Sequence, residues 1–123
     1  MSELNTRKTG STGEKIAAEF LRQHNYTIIK TNFRVGRIGE IDIIARDCEY
    51  ICFIEVKTRR SYTFGKPSEA VTAAKQKKIQ QIASIYLSNT YNTNRCVRFD
   101  VIEIILSGPD DKVTDINLLK NAF

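Results

Sequence analysis

Two mostly apolar runs, residues 41–45 and 50–56, constrain the fold more than any other part of the chain. Both are rich in β-branched and aromatic residues, and the four polar residues between them are few enough for a hairpin connection. The pattern therefore predicts two antiparallel strands that lie side by side.

Acidic and basic side chains interrupt both predicted strands. Alternate residues of a strand share a face, so Glu40 and Asp42 are expected on one side of the first strand. Glu55 and Lys57 are likewise expected on one side of the second. The opposite faces are wholly apolar and comprise Ile41, Ile43 and Ala45 in the first strand and Cys52, Ile54 and Val56 in the second. An even number of loop residues places Asp42 and Glu55 on the same face, with Cβ atoms about 4.5–8 Å apart, whereas an odd loop without a bulge separates them.

Two neighbouring carboxylates repel each other, and one of them should take up a proton unless a cation lies between them. Asp42 and Glu55 offer hard oxygen ligands, which favour Mg²⁺ or Mn²⁺ over zinc, and the backbone carbonyl of Val56 is a further candidate ligand. Lys57 would then orient a water molecule and stabilise charge on a phosphate under attack. The same residues also fit a solvated sheet face with a cross-strand salt bridge worth less than about 1 kcal/mol. The pattern leaves both interpretations open.

A resemblance to known proteins adds to this pattern. Asp42 followed by Glu55, Val56 and Lys57 resembles the PD-(D/E)xK motif of the restriction-endonuclease-like superfamily, which includes archaeal Holliday-junction resolvases. Ile41 stands where the superfamily has a proline, a residue that shapes the backbone and binds no metal. Longer segments resemble, in this order, the YraN-like family of small bacterial proteins: TGSTGEKIAAEFL, NFR, GEIDIIA, FIEVKTR, FGKPSEAVTAAKQKKI and RFDVIEI.

The resemblance covers residues 9–106 and implies both a fold and an activity. The fold would be α/β, a restriction-endonuclease-like mixed β-sheet flanked by helices. The activity would be cleavage of nucleic acid, DNA rather than RNA, with Mg²⁺ or Mn²⁺ as cofactor, on branched or single-stranded substrates in repair or recombination. By analogy with resolvase-like relatives, two chains would pair as a homodimer. The alternative is a non-catalytic module that binds nucleic acid on a nuclease scaffold.

Glu14 is a further candidate ligand, because in the resolvase branch a glutamate on the first helix joins the metal site. An apolar helical stripe supports this assignment, since Glu14 falls at its edge, while Glu19 points away. The stripe comprises Ile16, Ala17, Phe20 and Leu21. Residues 11–14 also fit a capping box, in which Glu14 would only satisfy a free backbone N–H. The resemblance favours the metal ligand.

A second long helix is predicted over residues 67–87, because Pro67 suits a first helical turn. Lys75 falls inside its core stripe, where a lysine is out of pattern. The stripe comprises Val71, Ile79, Ile82 and Tyr86. Lys75 either snorkels past the sheet edge or contacts a phosphate near the metal, and the resemblance favours the phosphate contact.

Length and charge set the frame for these interpretations. At 123 residues, the chain is expected to form one domain, residues 1–123. Its formal net charge is +5, and the positive charge is concentrated beside the predicted acidic pair. Basic faces are common on solvated surfaces, yet phosphate binding is a natural use for one beside a metal centre. The predicted nucleic-acid-binding residues are Arg34, Arg37, Arg59, Arg60, Lys66 and Lys75.

The remaining segments carry weaker signals. Strands are predicted over residues 97–106 and 113–118, and Asp100 in the first of them either supports the site or pairs with Arg98 or a loop lysine. Three cysteines and one histidine predict neither a disulfide framework nor a zinc site, which suggests a reducing compartment. No apolar run is long enough to cross a bilayer or act as a signal peptide, so cytoplasmic localisation without membrane association is expected.

Overall fold

A five-stranded mixed β-sheet with a helix on each face forms the described part of the chain. The computed structural model describes residues 3–60, 71–90 and 96–123, with side chains in the first helix described from Thr12 onward. The elements are α1 (Glu3–Gln23), β1 (Thr27–Val35), β2 (Gly39–Asp47), β3 (Tyr50–Arg59), α2 (Ala73–Ser88), β4 (Cys96–Ser107) and β5 (Lys112–Leu119).

The strands lie in the order β1-β2-β3-β4-β5, and β3 and β4 are the parallel pair. The other neighbouring pairs are antiparallel. Parallel neighbours need a long crossover connection, and α2 lies within that crossover. The predicted α/β class, a mixed sheet flanked by helices, is therefore confirmed.

Each face of the sheet has its own apolar core. Leu21 anchors the α1 side and Ile82 the α2 side, with side chains 0% and 1% exposed. Fully burying one such side chain contributes roughly 1.5–3 kcal/mol, so each helix is held to its face mainly by this packing. The α1 side also contains Ala17, Ile43, Ala45, Cys52, Ile54, Ile102 and Ile104, and the α2 side contains Ile41, Ile44, Ile51, Phe53, Ile79 and Val101.

The predicted hairpin is confirmed as β2 and β3. Asp47 pairs with Tyr50, so that the loop consists of Cys48 and Glu49 alone. Cys48 takes a positive φ of 55°, a conformation typical of the tight turns that join antiparallel strands. This even loop keeps the pairing in the predicted register, with Ile43 opposite Ile54.

The capping-box alternative for Glu14 and the predicted start of the second helix both disagree with the structure. Because α1 runs from Glu3 to Gln23, residues 11–14 lie inside it, and the capping-box interpretation of Glu14 is wrong. The helix predicted from Pro67 begins at Ala73, because Thr72 is extended and its side chain accepts a hydrogen bond from the Lys75 N–H. Residues 67–70 lie outside the described residues. The predicted end at residue 87 is within one residue of Ser88.

The two later strands are confirmed with small extensions, and one strand was not predicted. Residues 97–106 and 113–118 lie inside β4 and β5. The unpredicted strand is β1, which pairs with β2 at one edge of the sheet. Among the described residues, neither helix is long and apolar enough to cross a membrane.

Candidate functional site

The site lies where the ladder between β2 and β3 ends. Its last pair is Ile43 with Ile54, and the next residues in register are Asp42 and Glu55. Asp42 does not continue the ladder, because its Oδ2 accepts a hydrogen bond of 2.8 Å from the backbone N–H of Val56. This bond holds the Asp42 carboxylate against β3, beside Glu55.

The face alternation of β2 is interrupted at Asp42. Ile43 packs on the α1 side and Ile41 on the α2 side, although they are two residues apart. The prediction that Ile41 shares a face with Ile43 and Ala45 is therefore wrong. The physical reason lies in neighbouring β1, where Asn32 has a positive φ of 53° between the residues paired with Ile41 and Ile43. Asparagine tolerates this left-handed conformation better than most residues.

Glu55 is buried between two lysines. Its side chain is 6% exposed, and its Oε1 lies 2.5 Å from Nζ of Lys75 and 3.8 Å from Nζ of Lys57. Lys57 comes from the same strand, whereas Lys75 comes from the first turn of α2. The position of Lys75 in the core sector of its helix is thus explained by an ion pair with Glu55, and its predicted phosphate contact stays a prediction.

Glu14 reaches the site from α1. The preceding residue, Gly13, is buried against Thr58 of β3, and a Cβ atom at Gly13 would overlap the Thr58 Oγ1. Glycine therefore lets α1 approach the sheet closely, where the Glu14 side chain forms a hydrogen bond with Asn32 and senses the charges of Glu40 and Glu55. Burial raises the pKa of Glu14, as do the charges of Glu40 and Glu55, while a hydrogen bond with the Asn32 side chain lowers it.

The converging acids shift each other's protonation. Burial and the charge of Glu55 raise the pKa of Asp42 to about 7, against the opposing effects of the Val56 N–H and Lys75. Burial and neighbouring Lys75 lower the pKa of Lys57. Although burial lowers the pKa of Lys75, its contact with Glu55 raises it overall. The site therefore carries surplus negative charge, which two ammonium groups partly offset.

The other predicted nucleic-acid-binding residues differ in their exposure and in the partners of their side chains. Arg34 and Arg37 are exposed in β1 and in the turn after it. The Nε of Arg59 lies 2.6 Å from buried Glu103, and Arg60 donates to the Gly108 carbonyl and pairs with Asp111. Arg59 and Arg60 thus already bind β4 and the turn after it. Lys66 lies outside the described residues, and the nucleic-acid-binding role of all these residues stays a prediction.

Asp100 lies outside the site. It is fully buried and pairs with Arg98, whose Nε lies 2.9 Å from its Oδ1, and it also accepts from the backbone N–H of Asn121. Arg98 in turn donates to the Tyr26 hydroxyl and to Asp47. The predicted salt bridge with Arg98 is confirmed, and the alternative that Asp100 supports the site is wrong.

The sequence analysis missed two residues beside the site. Asn32 carries the irregularity of β1, and no signal marked it because β1 itself was not predicted. Glu103 is a fully buried acid in register with Lys57 on the neighbouring strand. Its signal was similar to that of Glu55, an acid inside an apolar run, here residues 101–106.

The donor set fits a hard divalent cation, although the acids do not form a ready-made cage. In residues 3–60, 71–90 and 96–123, no group of three or more His, Cys, Asp and Glu side chains is arranged to hold a metal ion. Asp42 and Glu55 provide carboxylate oxygens side by side, and the surplus charge that raises the pKa of Asp42 is what a cation would relieve. Glu14 and the Val56 carbonyl stay predicted ligands.

Comparisons with known proteins group this chain with small bacterial proteins of similar length. The model of a family described as "Uncharacterised protein family UPF0102" matches residues 13–104. A UPF0102 protein of Acetivibrio thermocellus is 50% identical over 97% of this chain and 93% of its own length. A UPF0102 protein of Caldicellulosiruptor saccharolyticus is 45% identical over 98% of this chain and 100% of its own length. A UPF0102 protein of Clostridium botulinum is 48% identical over 93% of this chain and 92% of its own length.

Proposed function

This chain belongs to the UPF0102 family, and from its site we propose that it is a metal-dependent nuclease that hydrolyses phosphodiester bonds of nucleic acid, in particular DNA. The observation that carries the proposal is the arrangement at the end of the β2–β3 ladder. There Asp42, fixed by the Val56 N–H, lies beside buried Glu55, and Lys57 contacts the same carboxylate. This is the residue set that the PD-(D/E)xK resemblance requires.

Mg²⁺ or Mn²⁺ is the cofactor that suits these residues. Asp42 and Glu55 would hold the ion, and Glu14 and the Val56 carbonyl are its further predicted ligands. When bound, such an ion lowers the pKa of water and neutralises charge on a phosphate. The ammonium of Lys75 contacts Glu55 as a cation would, so we propose that Lys75 leaves Glu55 when the metal binds and turns to the substrate phosphate.

Lys57 is the residue proposed to act on the reacting groups. Its side chain lies beside Glu55, is 24% exposed and has a pKa lowered by burial and by Lys75. As an ammonium, Lys57 orients the attacking water and stabilises the charge that develops on the phosphate. Asp42 keeps its position through the Val56 N–H and does not depend on a flexible side-chain partner.

Cleavage assays on a panel of DNA substrates test this proposal. Linear duplex, single-stranded, flap and four-way substrates are incubated with the chain and Mn²⁺. We expect cleavage of at least one substrate by the wild type, and a loss of at least a hundredfold in Asp42→Asn and Lys57→Met. Asp110→Asn and Lys112→Met are matched controls, because both residues are exposed in or beside the turn between β4 and β5. Equal activity of Asp42→Asn and Asp110→Asn would remove the assignment.

A second candidate function is favoured by the Lys75–Glu55 ion pair. This pair neutralises Glu55 without a metal, as expected of a module that binds nucleic acid on a nuclease scaffold without hydrolysing it. Such a module would bind the same DNA substrates and leave all of them intact in Mn²⁺. It would also show no Mn²⁺ binding that depends on Asp42.

A further inference from the structure

A groove lies beside the site, between the β1–β2 turn and the first turns of α2. It encloses about 340 Å³. Its floor is apolar, and two lysines, Lys75 and Lys78, line its helical side. The floor consists of Ile38, Ile79 and Ile82, and exposed Ala74 stands at its mouth. Apart from Lys75, none of these lining residues takes part in the proposed chemistry.

We propose that this groove takes one unpaired nucleotide of the substrate, so that the chain acts on single-stranded or splayed nucleic acid in preference to intact duplex. The inference rests on the proposed function and names the substrate class of that site. Its volume is at the lower end of the roughly 300–1,000 Å³ typical of small-molecule sites. A single base with its sugar fits such a space, whereas a double helix keeps its bases stacked and paired outside it.

The groove is continuous with the candidate site through Lys75. The same ammonium that lines the groove lies 2.5 Å from Glu55, and Glu40 lines the groove and also raises the pKa of Glu14. A nucleotide in the groove would therefore place an adjoining phosphate near the acids. This continuity distinguishes the groove from an ordinary depression between a helix and a turn.

The charges on the helical side of the groove match a nucleic-acid backbone. Lys75 and Lys78 are three residues apart on α2, so they project from the same face of the helix. Exposed Arg37 lies in the turn that forms the other bank, next to Ile38. Lys75 and Lys78 on the helical side suit a phosphate of the bound nucleotide, and the apolar floor suits its base. On the turn side Glu40 lines the groove, so the phosphate is expected on the side of α2.

Filling the groove provides the first test. Ala74→Phe places a ring at the mouth, and Ala73→Phe is the matched control, since Ala73 is also exposed and does not line the groove. Fluorescence anisotropy in EDTA measures affinity for a labelled single strand and for the same sequence as a blunt duplex. We expect Ala74→Phe to weaken single-strand binding at least tenfold and duplex binding less than threefold, with Ala73→Phe unchanged. Equal effects of the two substitutions on single-strand binding would overturn the proposal.

Removing one lysine provides a second test that does not depend on how a bulky ring is tolerated. Lys78→Ala is compared with Lys77→Ala, an exposed neighbour outside the groove. Only Lys78→Ala should weaken single-strand binding, by about threefold to tenfold, and reduce the slope of log affinity against log salt by about 0.7, the value for one phosphate contact on a single strand. An equal loss of affinity in Lys77→Ala would show that single strands bind to a diffuse basic surface, which would overturn the proposal.

The two proposals fail in different ways. Binding in EDTA needs neither the metal nor hydrolysis, so a chain that cleaves nothing can still show groove-dependent single-strand binding. Conversely, Ala74→Phe could cleave both single-stranded and duplex DNA as fast as the wild type. That result would support the proposed nuclease activity and contradict the proposed role of the groove. Thermal unfolding of each variant, followed by circular dichroism, confirms that the compared chains are folded.

Discussion

The ammonium of Lys75 lies 2.5 Å from a carboxylate oxygen of Glu55, across the boundary between α2 and the central strand β3. Glu55 is almost fully buried, while the Lys75 side chain is 41% exposed. A buried acid thus has a cation supplied from a neighbouring element, at the point where the proposed metal would bind. Glu55 is in this way neutralised before any metal arrives, while the neighbouring Asp42 keeps a raised pKa.

Removing this ammonium should make the site bind metal more tightly. Lys75→Met is expected to increase Mn²⁺ affinity by about fivefold, because the metal no longer displaces an ion pair worth on the order of 1 kcal/mol at a partly exposed position. Isothermal titration calorimetry at low salt measures the change. Lys77→Met, which alters an exposed lysine two residues away, should leave the affinity unchanged, and a weaker affinity in Lys75→Met would show that the lysine supports the metal instead of competing with it.

The raised pKa of Asp42 predicts a pH dependence of stability. Its pKa is about 7 in the folded chain against 3.8 for the ordinary side chain. Between these values the folded chain holds more protons than the unfolded one, so the contribution of Asp42 to stability falls as pH rises from about 4 to 7. Asp42→Asn cannot ionise, and in EDTA its free energy of unfolding should exceed that of the wild type by up to a few kcal/mol at pH 8.

Urea unfolding at a series of pH values measures this difference. It should be small near pH 4, grow through pH 7 and then level off. Adding Mn²⁺ at pH 8 should stabilise the wild type and leave Asp42→Asn unchanged, since a ligand stabilises only the state that binds it. A difference between the two chains that is constant from pH 4 to pH 8 would show that Asp42 titrates normally.

The close approach of α1 to β3 predicts that the effect of Gly13→Ala on stability changes sign when Thr58 is replaced by alanine. Gly13→Ala improves helix propensity by about 1 kcal/mol, yet its Cβ overlaps the Thr58 Oγ1. Overpacking of this kind costs about 1–3 kcal/mol, so the single substitution should destabilise the chain or leave it no more stable. In a Thr58→Ala background, Gly13→Ala should instead stabilise by about 1 kcal/mol. Equal effects of Gly13→Ala in both backgrounds, measured by chemical unfolding, would exclude the contact.

Arg98 is predicted to be essential for stability without affecting metal binding. It pairs with fully buried Asp100 and also contacts Asp47 and the Tyr26 hydroxyl. Arg98→Met leaves Asp100 buried without its cation, which typically costs about 3–5 kcal/mol. Chemical unfolding measures the loss, with Arg22→Met, at an exposed position of α1, as the control. A loss below 1 kcal/mol would mean that Asp100 finds another partner.

Much of the site could be predicted from the sequence because its residues interrupt strong local patterns. The β2–β3 hairpin has a short loop and two β-rich runs, so its register follows from alternation alone. Asp42, Glu55 and Lys75 were each recognisable as charges at positions where a strand or a helix should be apolar. The partner of Lys75 was not predictable, since the position of α2 on the sheet depends on the long-range crossover between β3 and β4.

The features that sequence analysis missed are those in which local and long-range preferences differ. β1 is an edge strand whose exposed polar residues hide the alternation, in particular Lys30, Thr31 and Asn32. The change of face at Asp42 depends on the backbone of Asn32, which no pattern in β2 itself can reveal. Val71 is buried and fits the apolar stripe predicted for the second helix, yet it precedes that helix. The helix begins only after Thr72, which is extended and caps it.

Titration of Mn²⁺ into the metal-free chain at pH 8 and low salt tests the central claim most directly. The account predicts saturable binding to the wild type and to Asp110→Asn, and its loss in Asp42→Asn, because the Asp42 and Glu55 carboxylates share the ion. Binding of equal affinity by Asp42→Asn, or no binding by the wild type, would contradict it.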